Sequence, residues 1–240
     1  IGANVLLGEN FYDRETAFSY LPESTNEDVG LSMQVDWQTE NFLLTSITAY
    51  REFEAFDDVD SDWMDLDALQ RTNEQEQNQF SQELRISNDY DRFNYVFGLY
   101  YFTQDLDTKR DTIAGVDTSA LVSLPSNAFI GGTGATTISA QEHESYAAFG
   151  QFDVHLSDSF VLTAGLRWTK EKKDMVNTFT EDAPPELNPL LPNWGFYLFD
   201  AFAPYPDVSE EIDDDEVTGT AKLSWFANDT VMFYASYGTG

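Results

Sequence analysis

The hairpin from Gln141 to Lys173 restricts the fold more than any other part of this chain. On its way in, Tyr146, Ala148, Gly150, Phe152, Val154 and Leu156 share one side of an extended strand. Ser145, Ala147, Phe149, Gln151, Asp153 and His155 share the other. Ser157-Asp158 turns the chain, and Phe160, Leu162, Ala164, Leu166 and Trp168 repeat the pattern on the return, against Val161, Thr163, Gly165, Arg167 and Thr169. A helix would repeat near every 3.6 residues; a period of two belongs to a strand with one face in an apolar medium and one in a polar medium. The charged run Lys170–Asp174 carries the second strand onward without a break. Long alternating strands with a tight turn at one end are the requirement of a transmembrane β-barrel.

The rest of the chain repeats this unit. Strands are expected at Leu31–Gln38, Phe42 to about Phe56, Glu74–Ser87, Phe93 to about Thr108, Glu216–Phe226 and from Thr230 onward. The second has less regular faces, with Leu43, Ile47 and Ala49 opposing Leu44, Ser46, Thr48 and Tyr50. The fourth is apolar on both faces around Gly98, and its inside and outside are not assignable from pattern. Short turns fall near residues 40, 90, 158 and 228. Long loops fall at about 1–29, 57–73, 111–140 and 178–215. Short and long connections alternate strictly, as the periplasmic turns and extracellular loops of outer-membrane barrels do. The strands exceed the roughly 9–11 residues that cross hydrocarbon, so they should project beyond the membrane on the loop side. The expected fold class is all-β, an antiparallel transmembrane β-barrel segment of about eight strands.

Composition removes several other classes. With 12 Lys and Arg against 43 Asp and Glu, the net charge is −31, and a nucleic-acid backbone would be repelled. Such acidity would suit a disordered chain, but 42% hydrophobic and 15% aromatic residues have to be buried or placed in lipid. There is no cysteine, hence no disulfide and no thiol chemistry. No run of 18 apolar residues offers a transmembrane helix, which leaves a barrel open, because only alternate barrel residues meet lipid. The start, Ile1-Gly2-Ala3-Asn4, has neither Met nor a signal-like segment and reads as the inside of a longer chain.

Six segments resemble the barrel of TonB-dependent outer-membrane receptors. They are Leu44–Arg51, Phe80–Ile86, Gly98–Phe102, Tyr146–Gln151, Leu162–Trp168 and Phe233–Gly238, in the family's order. None is specific alone; together they span most of residues 42–240. The resemblance implies a barrel of about 22 strands closed around a plug, and import of a scarce nutrient. It also implies the TonB–ExbB–ExbD complex as energy source through the plug, with outer-membrane lipid, lipopolysaccharide and a small nutrient ligand as the other partners. No cofactor, enzyme activity or nucleic-acid partner is expected. Plug and TonB box are missing, so residues 1–240 read as the middle of one barrel domain. The alternatives are a structural or adhesive barrel without transport, including a small barrel closed by eight strands, and a soluble acidic β-protein.

Candidate binding residues are few. Asp58, Asp60 and Asp62 have the D-x-D-x-D spacing of a calcium loop, but Trp63 stands where such a loop has glycine and Leu69 where it has glutamate. A solvated acidic loop is the simpler reading. The loop aromatics Trp63, Trp194, Phe196 and Tyr197 are candidates for gripping a ligand, since rings give contact area at low entropy cost. The simpler alternative is a loop that packs on itself over the barrel mouth. Trp37, Trp168, Trp225, Tyr50, Tyr100 and Tyr101 lie towards strand ends, as rings of an aromatic girdle would. His143 and His155 have no spaced partner for metal or catalysis.

Overall fold

A computed structural model describes residues 17–118, 132, 134–182 and 206–240. These form one sheet of eight strands in sequence order, each antiparallel to the next. The strands are β1 Glu23–Gln38, β2 Leu43–Asp60, β3 Leu69–Asp89, β4 Phe93–Ala114, β5 Gly134–Ser157, β6 Phe160–Asp182, β7 Val208–Asn228 and β8 Val231–Thr239. The end strands β1 and β8 do not pair with each other, so the sheet is a length of open wall and not a small self-closed barrel.

Ladder partners lie on the same face of a sheet. One row runs Trp37–Leu44–Ile86–Phe97–Gly150–Leu166–Gly219–Thr239 across all eight strands. On β1 to β4 the same-face residues towards the long loops continue an apolar belt, broken at Ser46, Thr48 and Gln82, and on β5 to β8 those towards the short turns do. Its members include Leu31, Leu99 and Leu166, which are 76%, 60% and 67% exposed. Large apolar side chains so exposed, on one side of the sheet, have no place in water; this is a lipid-facing surface. On β6 the belt runs from Phe160 to Trp168, eight steps or about 26 Å of strand. Across the membrane that is about 20 Å at a ~40° tilt, with rings adding to both rims. Register also settles β4, the strand with two apolar faces. Tyr95, Phe97, Leu99 and Tyr101 join the belt, while Val96, Gly98, Tyr100 and Phe102 face inward.

Polar side chains within the belt hold one another. Thr48 donates to the Gln82 side-chain oxygen, and the Gln82 amide donates to Ser46 Oγ at 3.0 Å. Lipid offers no other partner to such groups. The inner face is polar and more covered: Thr45, Ser145, Thr163 and Ser224 are buried there.

Each short turn is tied by its own side chains. Thr39 Oγ1 donates to the Phe42 carbonyl at 2.9 Å, and Asn228 Oδ1 accepts from the Thr230 amide at 2.9 Å. Neighbouring turns are joined as well, His155 N donating to Arg92 O at 2.9 Å and Phe226 N to Ser159 O at 2.8 Å. Rings gather at this rim, with Tyr90 and Phe93 centred 4.8 Å apart and Trp225 and Phe233 5.5 Å apart.

At the other rim the strands run further than their alternation predicts. β1 begins at Glu23 and not Leu31; β2 reaches Asp60, β3 starts at Leu69, β4 reaches Ala114 and β5 starts at Gly134. Beyond the lipid both faces meet water, so segments such as Asn73–Gln79 are polar throughout and lose the period of two while the backbone ladder continues.

Candidate functional site

The loop-side rim is built by carboxylates. Asp58 accepts from Tyr20 Oη at 2.8 Å and Gln70 Nε2 at 3.1 Å. Asp60, only 1% exposed, accepts from the Ser19 amide at 2.7 Å and its hydroxyl at 3.1 Å. Asp62 gathers the amides of Met64, Ala68 and Leu69 at 3.0, 3.1 and 2.8 Å, which folds the short β2–β3 connection round one side chain. Burial raises the Asp62 pKa, against the opposing pull of the Leu69 and Met64 amides. The Tyr20 hydroxyl is pushed up strongly, first by burial and then by the Asp58 carboxylate it bonds.

The three aspartates of the D-x-D-x-D run are therefore engaged with separate donors from two segments, residues 19–20 and 64–70. Among the described residues, no group of three His, Asp or Glu side chains is arranged to hold a metal ion. Trp63 follows directly, in the left-handed conformation at φ 59°, which costs a bulky residue on the order of 1 kcal/mol. It is 66% exposed and touches Phe18, ring centres 6.0 Å apart. Trp194, Phe196 and Tyr197 lie outside the described residues.

This connection is stapled to the next one. Asp67 and Asp117 exchange bonds, the Asp117 amide to Asp67 O at 2.8 Å and the Asp67 amide to Asp117 Oδ2 at 3.1 Å. The Ala68 carbonyl accepts from the Gly115 amide at 2.9 Å and from Thr118 Oγ1 at 2.6 Å. Just inside this junction, Leu69 and Phe179 pack against the buried Ala114 and Ala135.

The inner wall below the rim carries cations. Arg167 lies 5.8 Å from the ring centres of both Tyr100 and Phe149, a cation held between two aromatic faces. The Phe149 ring is seated over Gly98, where a Cβ would come within 2.2 Å of it. Higher up, Arg71 on β3 and Arg110 on β4 share the inner face. Sequence reasoning missed these groups and the Ser19 and Tyr20 contacts. The arginines could have been found by following same-face parity along β3 and β4; the contacts span some forty positions and leave no local pattern. The wall and rim offer surfaces for recognition.

An antiparallel wall with a lipid-facing belt, a polar inner face and a stapled rim defines an outer-membrane type of β-barrel. The sequence matches the family described as TonB dependent receptor-like, beta-barrel over residues 2–240, and the chain belongs to that family. No curated protein matches it in sequence. Among solved structures, the ferric yersiniabactin uptake receptor FyuA from Yersinia pestis is similar at TM-score 0.66 and 17% identity, over 90% of this chain and 28% of that one. The copper transporter OprC matches at 0.56 and 14%, over 89% of this chain and 29% of its own length. The siderophore receptor PiuA from Acinetobacter baumannii matches at 0.53 and 13%, over 90% and 32%. At these identities the likeness shows the fold alone. The chain spans about a third of the length of the receptors it matches. Family and structural neighbours are receptors and transporters, not enzymes.

Proposed function

We infer that this chain is a length of barrel wall from an energy-coupled importer in the bacterial outer membrane. The observation that carries the reading is the two-faced sheet, with an apolar belt outside and a largely polar face inside, rising into a rim tied by carboxylates among which Asp60 is buried. A soluble protein has no use for such a belt, and a purely adhesive barrel has no use for cations and aromatic rings along its inner wall. The ligand class is a small, scarce solute, with a metal chelate favoured by the similarity to a ferric yersiniabactin uptake receptor, a siderophore receptor and a ferric citrate transporter. Residues 1–240 belong to one barrel domain; import through it would draw on TonB–ExbB–ExbD acting on a plug carried elsewhere in the complete protein.

The test is uptake of radioiron carried by the organism's own secreted chelators. It compares cells with the complete gene, cells without it, and complemented cells lacking TonB. The expected result is uptake only where both gene and TonB are present. Uptake unaffected by loss of the gene, for iron and for a panel of vitamins and oligosaccharides, would overturn the reading and leave a structural or adhesive barrel.

A further inference from the structure

A second feature of the wall narrows the chemistry of the solute, and it rests on the import reading above. Arg71 faces Thr112 and Asn73 faces Arg110 in the β3–β4 ladder, so the two arginines are diagonal neighbours on the inner face, with backbones about 7–8 Å apart. They stand well beyond the belt, whose last ring on β3 is Phe80. The Nε of Arg71 is buried and has no hydrogen-bond partner among the described residues. Arg110 Nε donates to Asn73 Oδ1 at 2.9 Å, not to a carboxylate. Burial, and then the charge of Arg110, pull the Arg71 pKa below the ordinary arginine value.

This is unusual in a chain with 43 carboxylates and 12 lysines and arginines. Nearby cations on the outward face take what is abundant: Lys109 holds Asp111 at 2.7 Å, Lys170 holds Asp213 at 3.0 Å and Lys172 holds Asp174 at 3.0 Å. Two guanidinium groups side by side repel, and the inner-face carboxylate nearest in register, Asp57 opposite Asn73, accepts from the Ser24 hydroxyl instead. The partly buried Arg71 sits below the apolar cluster of Leu69, Ala114, Ala135 and Phe179, which lowers the dielectric around it and strengthens charge interactions there, while Arg110 beside it is exposed. A guanidinium presents a planar fork that fits a carboxylate or phosphate with two parallel bonds.

We propose that Arg71 and Arg110 form an anion-binding step on the inner wall below the mouth, which takes a carboxylate or phosphate group of a solute entering from outside. Among the described residues no carboxylate forms an ion pair with either guanidinium; the solute supplies the counter-charge and leaves with it.

The test uses the complete receptor purified in detergent, with inorganic phosphate and malonate as probes and chloride at matched ionic strength as the control. Binding is read by titration calorimetry and by the shift in Tm, since a ligand that binds only the folded state raises Tm. Both probes should bind and raise Tm while chloride does not. Arg71→Gln and Arg110→Gln should each weaken binding about tenfold or more. Without anion, Arg71→Gln should be no less stable than the parent, because a repulsion has gone; a purely structural arginine would show a loss instead. Arg71→Lys, which keeps the charge and loses the fork, should fall between. Arg92→Gln, at the opposite rim, should bind like the parent.

Absence of binding in the parent, as when another segment of the protein already neutralises the pair, would overturn the proposal, and so would equal binding by Arg71→Gln and the parent. The uptake assay separates this from the broader reading. TonB-dependent uptake with normal import by both arginine variants leaves the importer and removes the site. Anion binding lost in the variants, in a protein without TonB-dependent uptake, leaves the site and removes the importer.

Discussion

Leu166→Arg is expected to destabilise the folded barrel by about 2–4 kcal/mol, the cost of an arginine on the lipid face near the membrane midplane. Leu166 lies one same-face step from Ala164, the middle of the β6 belt, with Trp168 on its other side, and is 67% exposed. It faces Gly219 across the β6–β7 ladder, and its Cδ2 lies 2.9 Å from where a Gly219 Cβ would be, so the side chain covers the neighbouring strand as well. An arginine there has hydrocarbon around it and no carboxylate in reach. The inner-face comparison is Thr220→Arg, one residue from Gly219 and pointing to the other side. That variant should change stability by less than about 1 kcal/mol, because lumen substitutions meet a polar medium. Urea unfolding of the complete protein in phospholipid measures both. Equal losses at the two positions would show that the outer face is not in lipid.

Gly115→Ala is expected to cost about 3 kcal/mol, the upper end of what overpacking costs, and to loosen the rim. A Cβ at Gly115 would lie 2.1 Å from the Asp67 carbonyl oxygen and 2.2 Å from its Oδ1. The first is backbone and has no rotamer to retreat into. Gly115 is not free to move away either, since its amide donates to the Ala68 carbonyl. Relief requires breaking the staple that joins the β2–β3 connection to the end of β4. Hydrogen exchange should show lost protection at the amides of Asp67 and Asp117, while those in the belt portions of β3 and β4 stay protected. Unchanged exchange at the rim amides would contradict the stapled junction.

The belt was legible in the sequence because lipid on one side and water on the other impose opposite demands on alternate residues. Tyr146 to Leu156 and Phe160 to Trp168 therefore declare the strand, the turn and the two faces together. Where the medium is the same on both sides, that signal fades. Glu23 to Val29 and Leu69 to Asn73 are strand, yet they read as polar loop. The ambiguity at Val96 to Phe102 has the reverse cause. Tyr100 and Phe102 are apolar residues on the inner face, where Tyr100 lies against Arg167 and Phe102 lies 5.4 Å from the His143 ring, and only the ladder register separates them from Leu99 and Tyr101.

The rim was the least legible part. Asp58, Asp60 and Asp62 stand out by spacing, but spacing does not show that Tyr20, Ser19 and the Ala68 and Leu69 amides take up their oxygens. These partners come from separate segments and meet only once the ladder is formed. The Arg71 and Arg110 pair is hidden for the same reason, as two isolated cations far apart in sequence become neighbours through one ladder register.

The most direct test of the two-faced wall is a cysteine scan of β6, from Phe160 to Thr169, in the complete protein reconstituted in lipid. Residues 1–240 contain no native cysteine to interfere. Each introduced cysteine carries a spin label, and its accessibility to membrane-dissolved oxygen is compared with that to a water-soluble nickel complex. Labels at 160, 162, 164, 166 and 168 should be accessible to oxygen and shielded from nickel, and labels at 161, 163, 165, 167 and 169 should be shielded from oxygen. Nickel access at both sets, without alternation, would contradict a membrane-spanning wall and return the chain to the class of soluble acidic β-proteins.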